Sequence, residues 1–405
     1  MPDRLYYADS YLRTFDADVI ERVIINAQPA VVLSRSAFYP EGGGQPSDRG
    51  LLNQTRVIDV IERESDGAVL HVLAEPLTSD RVVGTIEHAR RFDLMQQHTG
   101  QHILSEAFIQ TANAMTVSFH LNPDPDDGAL TIDLNTAKLS AAQIDLAEDK
   151  ANQIVWENRP VTARFVTHEE LAALPLRKPP KVETSIRVVE IQGFDWSACG
   201  GTHVARTGEV GLIKIVKVER RGNESRIEFR CGGRALSDYR RKHAVISKAA
   251  GDLTIGFWEL DQAIGRLQAD AKALRKQLSD ADLKLQQYEA QDLIAAGRVH
   301  GDYRLIAQTW QNRDAAYLKR MAQLLTAQPK TMALLGATGV SLALVFARSK
   351  DLPVDLAAPL KATAAQLGAK GGGSPDFAQA GGPVVSEEQL KAAIDHVVAH
   401  LTTGD

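Results

Sequence analysis

Cysteine is nearly absent: the 405 residues contain only Cys199 and Cys231. Two cysteines cannot staple a chain of this length, so a disulfide framework is excluded and a reducing, cytoplasmic location is the expectation. No run of about 18 apolar residues occurs, which excludes a membrane-spanning helix. The opening Met1-Pro2-Asp3-Arg4 carries no apolar signal region, so secretion is not expected. Internal repeats are absent too. The net charge of −5 argues against indiscriminate polyanion binding. What is there is an ordinary globular composition, 44% hydrophobic and 24% charged, over a length suited to about two to four domains. Charge is uneven, however. Residues 204–242 hold eleven Lys or Arg against five Asp or Glu. Such a run is either a solvated face or a local footprint for phosphates.

The fold class read from the pattern is α+β, multidomain. Residues 1–89 alternate short apolar runs with turn residues. Val31–Leu33, Val57–Ile61 and Val69–Leu73 read as strands, and three glycines between prolines in 38–46 make a loop. Residues 90–240 form an α+β domain. A helix spans about Arg90 to Thr111. A second begins at the N-cap Ser140, and strands follow at 187–191, 211–218 and 225–231. Residues 241–297 are a helical coiled-coil arm. Phe257, Leu260, Ile264, Leu267, Ala271, Leu274, Leu278, Ala281, Leu285 and Tyr288 step by three and four. At ~1.5 Å per residue this seam is about 48 Å long, with Gly265 as its candidate weak point. Residues 298–405 form a small α/β C-terminal domain, with a second glycine loop over 368–375 and a closing helix capped by Ser386.

The chemistry lies in two short segments. In His98-Thr99-Gly100-Gln101-His102 the histidines stand at i and i+4, one helical turn apart on one face. By itself this spacing says little, since His396 and His400 share it on the last helix with no cysteine nearby. In Cys199-Gly200-Gly201-Thr202-His203 a cysteine and a histidine flank a glycine turn able to curl round an ion. Together His98, His102, Cys199 and His203 form a nitrogen and sulfur set that suits zinc over magnesium or calcium. No glutamate follows His98, so this is not the His-Glu-x-x-His arrangement with its built-in base. Cys231 reads as core.

The HTGQH and ACGGTH segments resemble the editing domain of alanyl-tRNA synthetases and the freestanding AlaX-type editing proteins. The loop FYPEGGGQPSD (38–48), the segments TVSFHL (116–121) and TIDL (131–134), and the run 191–232 are similar to segments of that family. GGGSPDFAQAGG resembles the C-terminal domain of the synthetases, which also occurs on DHH-type phosphoesterases. The resemblance covers nearly the whole chain, in its long form. It implies a zinc-dependent editing domain over 90–240, one zinc ion per chain, and deacylation of mischarged tRNA(Ala): Ser-tRNA(Ala), and Gly-tRNA(Ala) as a second substrate. No ATP site is visible and the chain begins at the editing module, so aminoacylation is not expected. Bacterial synthetases carry a glutamine shortly after the histidine helix; here Ser118, Phe119 and His120 stand instead.

On this reading His98, His102, Cys199 and His203 hold the metal. Gly42, Gly43, Gly44 and Gln45 approach the substrate, with Thr99 and Thr202 as polar lining. Asp195 orients a ligand histidine from behind. Arg220, Arg221, Arg226 and Arg230 meet acceptor-stem phosphates, and Gly371, Gly372 and Gly373 contact tRNA away from the chemistry. The coil offers a route to a homodimer, and no membrane partner is expected. Two rivals stand beside this reading. A DHH-type phosphoesterase fails for want of its aspartate-rich motifs. A non-catalytic RNA-binding module with structural zinc is kept open by the four-ligand set.

Overall fold

The computed structural model describes residues 3–124, 130–179 and 186–403. Two compact units emerge, Met1–Phe257 and Trp258–Asp405. The division falls inside the stretch read as a helical linker. Its physical cause is local: a helix ends at Leu253 and Thr254 turns the chain with φ at 56°.

The first unit starts with a closed barrel. Its strands are β1 (Thr14–Ile25), β2 (Gln28–Leu33), β3 (Gly50–Leu52), β4 (Thr55–Glu62), β5 (Val69–Leu73) and β6 (Arg81–Ile86), in the order β1-β2-β5-β4-β3-β6. Strand β1 closes it by serving two neighbours. Residues 14–18 pair with β6, and residues 19–25 with β2, across an irregularity between Val19 and Glu21. Phe15, Ala17, Val31, Leu33, Leu52, Val57 and Val82 alternate inward to fill the barrel. The β1–β2 turn is Asn26-Ala27, both with positive φ. That geometry normally announces itself as Asn-Gly, so sequence reading passed over β1.

Helix α1 (His88–Ala112) leaves the barrel and is buried on nearly every side. It packs against α2 (Ala141–Trp156), which Ser140 caps reciprocally with Gln143 as expected. Strands β7 (Thr116–His120), β8 (Leu130–Leu134), β12 (Ile213–Arg221) and β13 (Glu224–Cys231) form a four-stranded sheet in the order β12-β13-β8-β7. Strands β9 (Val161–Val166), β10 (Ile186–Ile191) and β11 (Asp195–Ala198) form a separate three-stranded sheet. Cys231 is buried against Gly100, where any Cβ would meet its Sγ at 2.3 Å; burial pushes this thiol well above its ordinary range. It is core. After the short α3 (His168–Ala173), helix α4 (Gly232–Leu253) ends the unit, anchored by Arg234 on Asp93 at 2.6 Å.

The second unit opens with α5 (Leu260–Ala296), 37 residues long and continuous through Gly265. The expected weak point is therefore no break; the chain bends earlier, at Thr254. Most of α5 is exposed, its buried residues being Ala263 near the start and Gln286 and Ala290 toward the end. The seam residues Ile264, Leu267, Leu274, Leu278 and Leu285 stay exposed. A mixed six-stranded sheet follows, with apolar cores on both faces. The segment read as a glycine loop is instead a strand, Lys370–Ser374, at the sheet edge. It must be glycine-rich because a Cβ at Gly371 or Gly373 would lie 2.3 or 2.2 Å from a backbone oxygen of the neighbouring strand. No described helix is long and apolar enough to cross a membrane.

Candidate metal centre

Helix α1 carries His98 and His102 one turn apart, with ring centroids at 5.2 Å. Strand β11 delivers Cys199, and the turn that follows returns His203. One ligand atom from each of the four lies within 4.8 Å of the others, and this is the sole such His, Cys, Asp or Glu group among the described residues. Cys199 Sγ is 3.4 Å from Nε2 of both His98 and His203. Arg187 on β10 shapes the turn: its Nη1 donates to the carbonyls of Cys199 at 3.1 Å and Gly201 at 2.9 Å.

Each histidine is held from behind through Nδ1. His98 faces Gln45 Oε1 at 2.8 Å, His102 faces Asp195 Oδ2 at 3.1 Å, and His203 faces Thr99 Oγ1 at 3.1 Å. Supported Nδ1 atoms leave Nε2 for an ion. Burial pushes the Cys199 thiol up, but His98 and His203, with hydrogen bonds from His102 and His203, outweigh it and hold Cys199 well below its ordinary value. Burial, then the charge of His98, lowers His203 to about 3. Burial also works against His102, yet Asp195 and Cys199 raise it. Three neutral-capable imidazoles and a thiolate are the donor state a soft or borderline cation requires.

The centre opens on a cleft of about 880 Å³ whose wall includes Tyr7, Gly44, Gln101, Phe119, Phe165 and Arg177. Phe119 stacks on His98 at 5.7 Å. Gly42 and Gly43 also face this space. Gln45, Thr99 and Thr202 do not; all three are fully buried. The structure puts them behind the histidines, so the polar lining read from the sequence belongs to the metal centre and not to the cleft wall.

The four arginines do not share one free face. Arg226 grips Asp133 at 2.6 and 2.7 Å, and Arg230 lies 3.9 Å from Asp238 and 4.0 Å from Glu228. Arg220 and Arg221 are exposed on the β12–β13 hairpin, Arg221 lying 3.7 Å from Glu219. The local cationic excess is thus partly neutralised inside the chain. Gly371, Gly372 and Gly373 lie in the second unit. His396 and His400 are exposed on the last helix, outside the metal cluster. Sequence reading missed Arg187, although a lone arginine inside the apolar strand Ile186–Ile191 was a visible signal.

Residues 186–228 match the family model of the threonyl and alanyl tRNA synthetase second additional domain. The chain is 31% identical to the alanyl-tRNA editing protein AlaX-L of Pyrococcus horikoshii, over 99% of this chain and 100% of that protein. It is also 31% identical to an alanine–tRNA ligase of Methanothrix thermoacetophila and 32% identical to one of Pyrobaculum neutrophilum, spanning only 44% and 42% of those enzymes. A crystal structure of the C-Ala domain of Aquifex aeolicus alanyl-tRNA synthetase aligns with 27% of this chain and 98% of its own, at 20% identity and a TM-score of 0.24, a likeness too slight to carry an argument. The end-to-end similarity to AlaX-L, borne by the same chain that gathers His98, His102, Cys199 and His203, means that this protein belongs to the AlaX-type family of alanyl-tRNA editing proteins.

Proposed function

We propose that the chain is a trans-editing hydrolase that deacylates mischarged tRNA(Ala), with Ser-tRNA(Ala) as principal substrate and Gly-tRNA(Ala) as a second. The observation that carries this is a three-nitrogen, one-sulfur donor set opening on a cleft large enough for a terminal aminoacyl nucleoside. The donors fit one zinc ion per chain: soft sulfur, imidazole nitrogen and no carboxylate ligand. Bound there, zinc supplies positive charge to polarise the ester and anchor the terminal ribose. His98, His102, Cys199 and His203 would hold the ion with four protein ligands, which favours a positioning role for it.

The chain's own residues do the rest. Gly42, Gly43 and Gly44 bring bare backbone to the cleft, with positive φ at Gly43 and Gly44. Tyr7 and Phe165 pack edge to face at 5.4 Å and give the terminal base an aromatic wall. A synthetic site made for alanine cannot strongly exclude serine, so a hydrolytic site must tell them apart. It does so by leaving a polar group unpaired when alanine binds, at about 1–3 kcal/mol, or roughly ten- to a hundredfold in rate. Gln101, Thr116, Ser118 and Ser197 are among the polar side chains on the wall that could serve that role by exchanging a present partner for the substrate. Exposed Arg220 and Arg221 take acceptor-stem phosphates, Gly371 to Gly373 contact tRNA elsewhere, and the bare seam of α5 pairs two copies. The thiolate at Cys199 suits a reducing cytoplasm.

The test is deacylation of Ser-tRNA(Ala), Gly-tRNA(Ala) and Ala-tRNA(Ala) by the purified chain. Seryl substrate should be preferred over alanyl by about tenfold or more in kcat/KM. Equal rates on both would sink the editing assignment. The closed four-ligand set also favours a second reading, a structural zinc in a non-catalytic RNA-binding protein; tRNA binding without any deacylation would support it.

A further inference from the structure

Gln45 lies in the glycine-rich loop between barrel strands β2 and β3, yet its side chain ends at the metal centre. Its amide has one possible orientation. The backbone N–H of Thr202 can only donate, and it lies 3.0 Å from one amide atom, which is therefore the oxygen Oε1. The other atom, Nε2, donates to Thr202 Oγ1 at 2.8 Å. Oε1 also lies 2.8 Å from His98 Nδ1. An amide oxygen can only accept, so Nδ1 carries the hydrogen and Nε2 keeps its lone pair. That Nε2 is the atom facing Cys199 Sγ at 3.4 Å.

We infer that Gln45 is a positioning residue for the metal centre: the barrel loop sets the tautomer and ring angle of His98, so the barrel completes the site. The inference rests on the zinc reading above. His102 and His203 are oriented by Asp195 and Thr99, from α1 and the strands beside it. His98 alone is oriented from the barrel side.

The loop is built to hold this contact. Asp48 accepts from Tyr39 N at 2.6 Å and from Arg91 Nε at 2.9 Å, and both Asp48 and Arg91 are fully buried. Arg91 precedes His98 by two helical turns, so the loop grips α1 at two points on one side. Room for the hydrogen bond comes from Gly201, where a Cβ would lie 2.5 Å from His98 Nδ1 and 2.7 Å from Gln45 Oε1.

Removing the acceptor frees His98 to rotate and to protonate on Nε2, which removes its lone pair from the ion. Metal affinity should fall roughly 10- to 100-fold. Zinc affinity of the full chain is measured by competition with a chromophoric chelator, for the unaltered protein, Gln45→Leu and Gln45→Glu. Glutamate keeps an acceptor for both Thr202 N and His98 Nδ1. We expect the leucine variant to lose affinity by that factor and the glutamate variant to stay within a few-fold. Equal affinity in the leucine variant, or a folded glutamate variant as weak as the leucine one, overturns the inference and leaves the zinc reading standing. No zinc uptake by the unaltered chain overturns the zinc reading, and the inference with it. A measurement without any substitution guards against misfolding: nitrogen NMR of the metal-free protein should report His98 protonated on Nδ1, and the opposite tautomer overturns the inference.

Discussion

Replacing Gly201 by alanine adds one methyl group at the most crowded point of the metal centre. The added Cβ would sit 2.3 Å from His98 Cε1, 2.5 Å from His98 Nδ1 and 2.7 Å from Gln45 Oε1. Ordinary carbon contacts are about 3.5–4 Å, so the imidazole must retreat by roughly 1 Å. Metal–ligand distances tolerate only about 0.2 Å. The backbone raises no objection, because Gly201 is not among the positive-φ glycines. The effect is therefore steric alone, an overpacking cost of about 1–3 kcal/mol in the metal-free fold and loss of most of the bound zinc. Gly200→Ala is the matched control: its Cβ would meet only Tyr7 Oη, at an ordinary 3.7 Å. Elemental analysis and thermal melting of both variants decide the matter. We expect Gly200→Ala to keep its zinc and deacylation, and Gly201→Ala to lose both. Full zinc occupancy in Gly201→Ala would refute the packing argument.

Cys199→Ser should leave the fold intact and abolish most zinc binding and deacylation, as read by elemental analysis and single-turnover assays; unchanged zinc would remove Cys199 from the site. A fragment ending at Phe257 should retain zinc and hydrolysis while binding tRNA more weakly. The cut belongs there because α4 runs to Leu253 and the first unit ends at Phe257; an inactive, zinc-loaded fragment would show that the second unit builds the catalytic site. His71 supplies a pH test. It is fully buried between Ser36 Oγ at 2.7 Å and Val31 O at 3.1 Å, and burial lowers it from 6.5 to about 4. The folded state disfavours its protonation, so its contribution is present above pH 6.5 and drains away as pH falls from about 6.5 to about 4, by about 3 kcal/mol at most. Denaturant unfolding of the unaltered chain and His71→Gln across that range should show a steeper loss of stability in the former; parallel curves would sink the argument.

The four metal ligands were legible because their spacing is a local property. A helix puts residues i and i+4 on one face wherever it packs, and Cys-Gly-Gly-Thr-His carries its own turn. The short apolar runs Val31–Leu33, Val57–Ile61 and Val69–Leu73, bounded by turn residues, marked three of the six barrel strands, and Ser140 marked the start of α2 as its N-cap. The glycine strand at Lys370–Ser374 was misread because its composition imitates a loop; only the neighbouring backbone, 2.2 Å from a would-be Cβ at Gly373, shows why side chains are excluded.

What sequence could not assign was the partner of each polar group. Gln45 reaches His98 across 53 residues and Thr202 across 157, and Asp195 reaches His102 across 93. Arg226 spends its charge on Asp133 across a register between β8 and β13 that no local pattern encodes. The amino-acid sequence by itself determined the donor set and the helical frame beneath it, since both depend on backbone periodicity. Tertiary packing alone decided that Gln45, Thr99 and Thr202 turn toward the histidines and away from the cleft, because a side chain's hydrogen-bond partner depends on which distant segments the fold brings within about 3 Å.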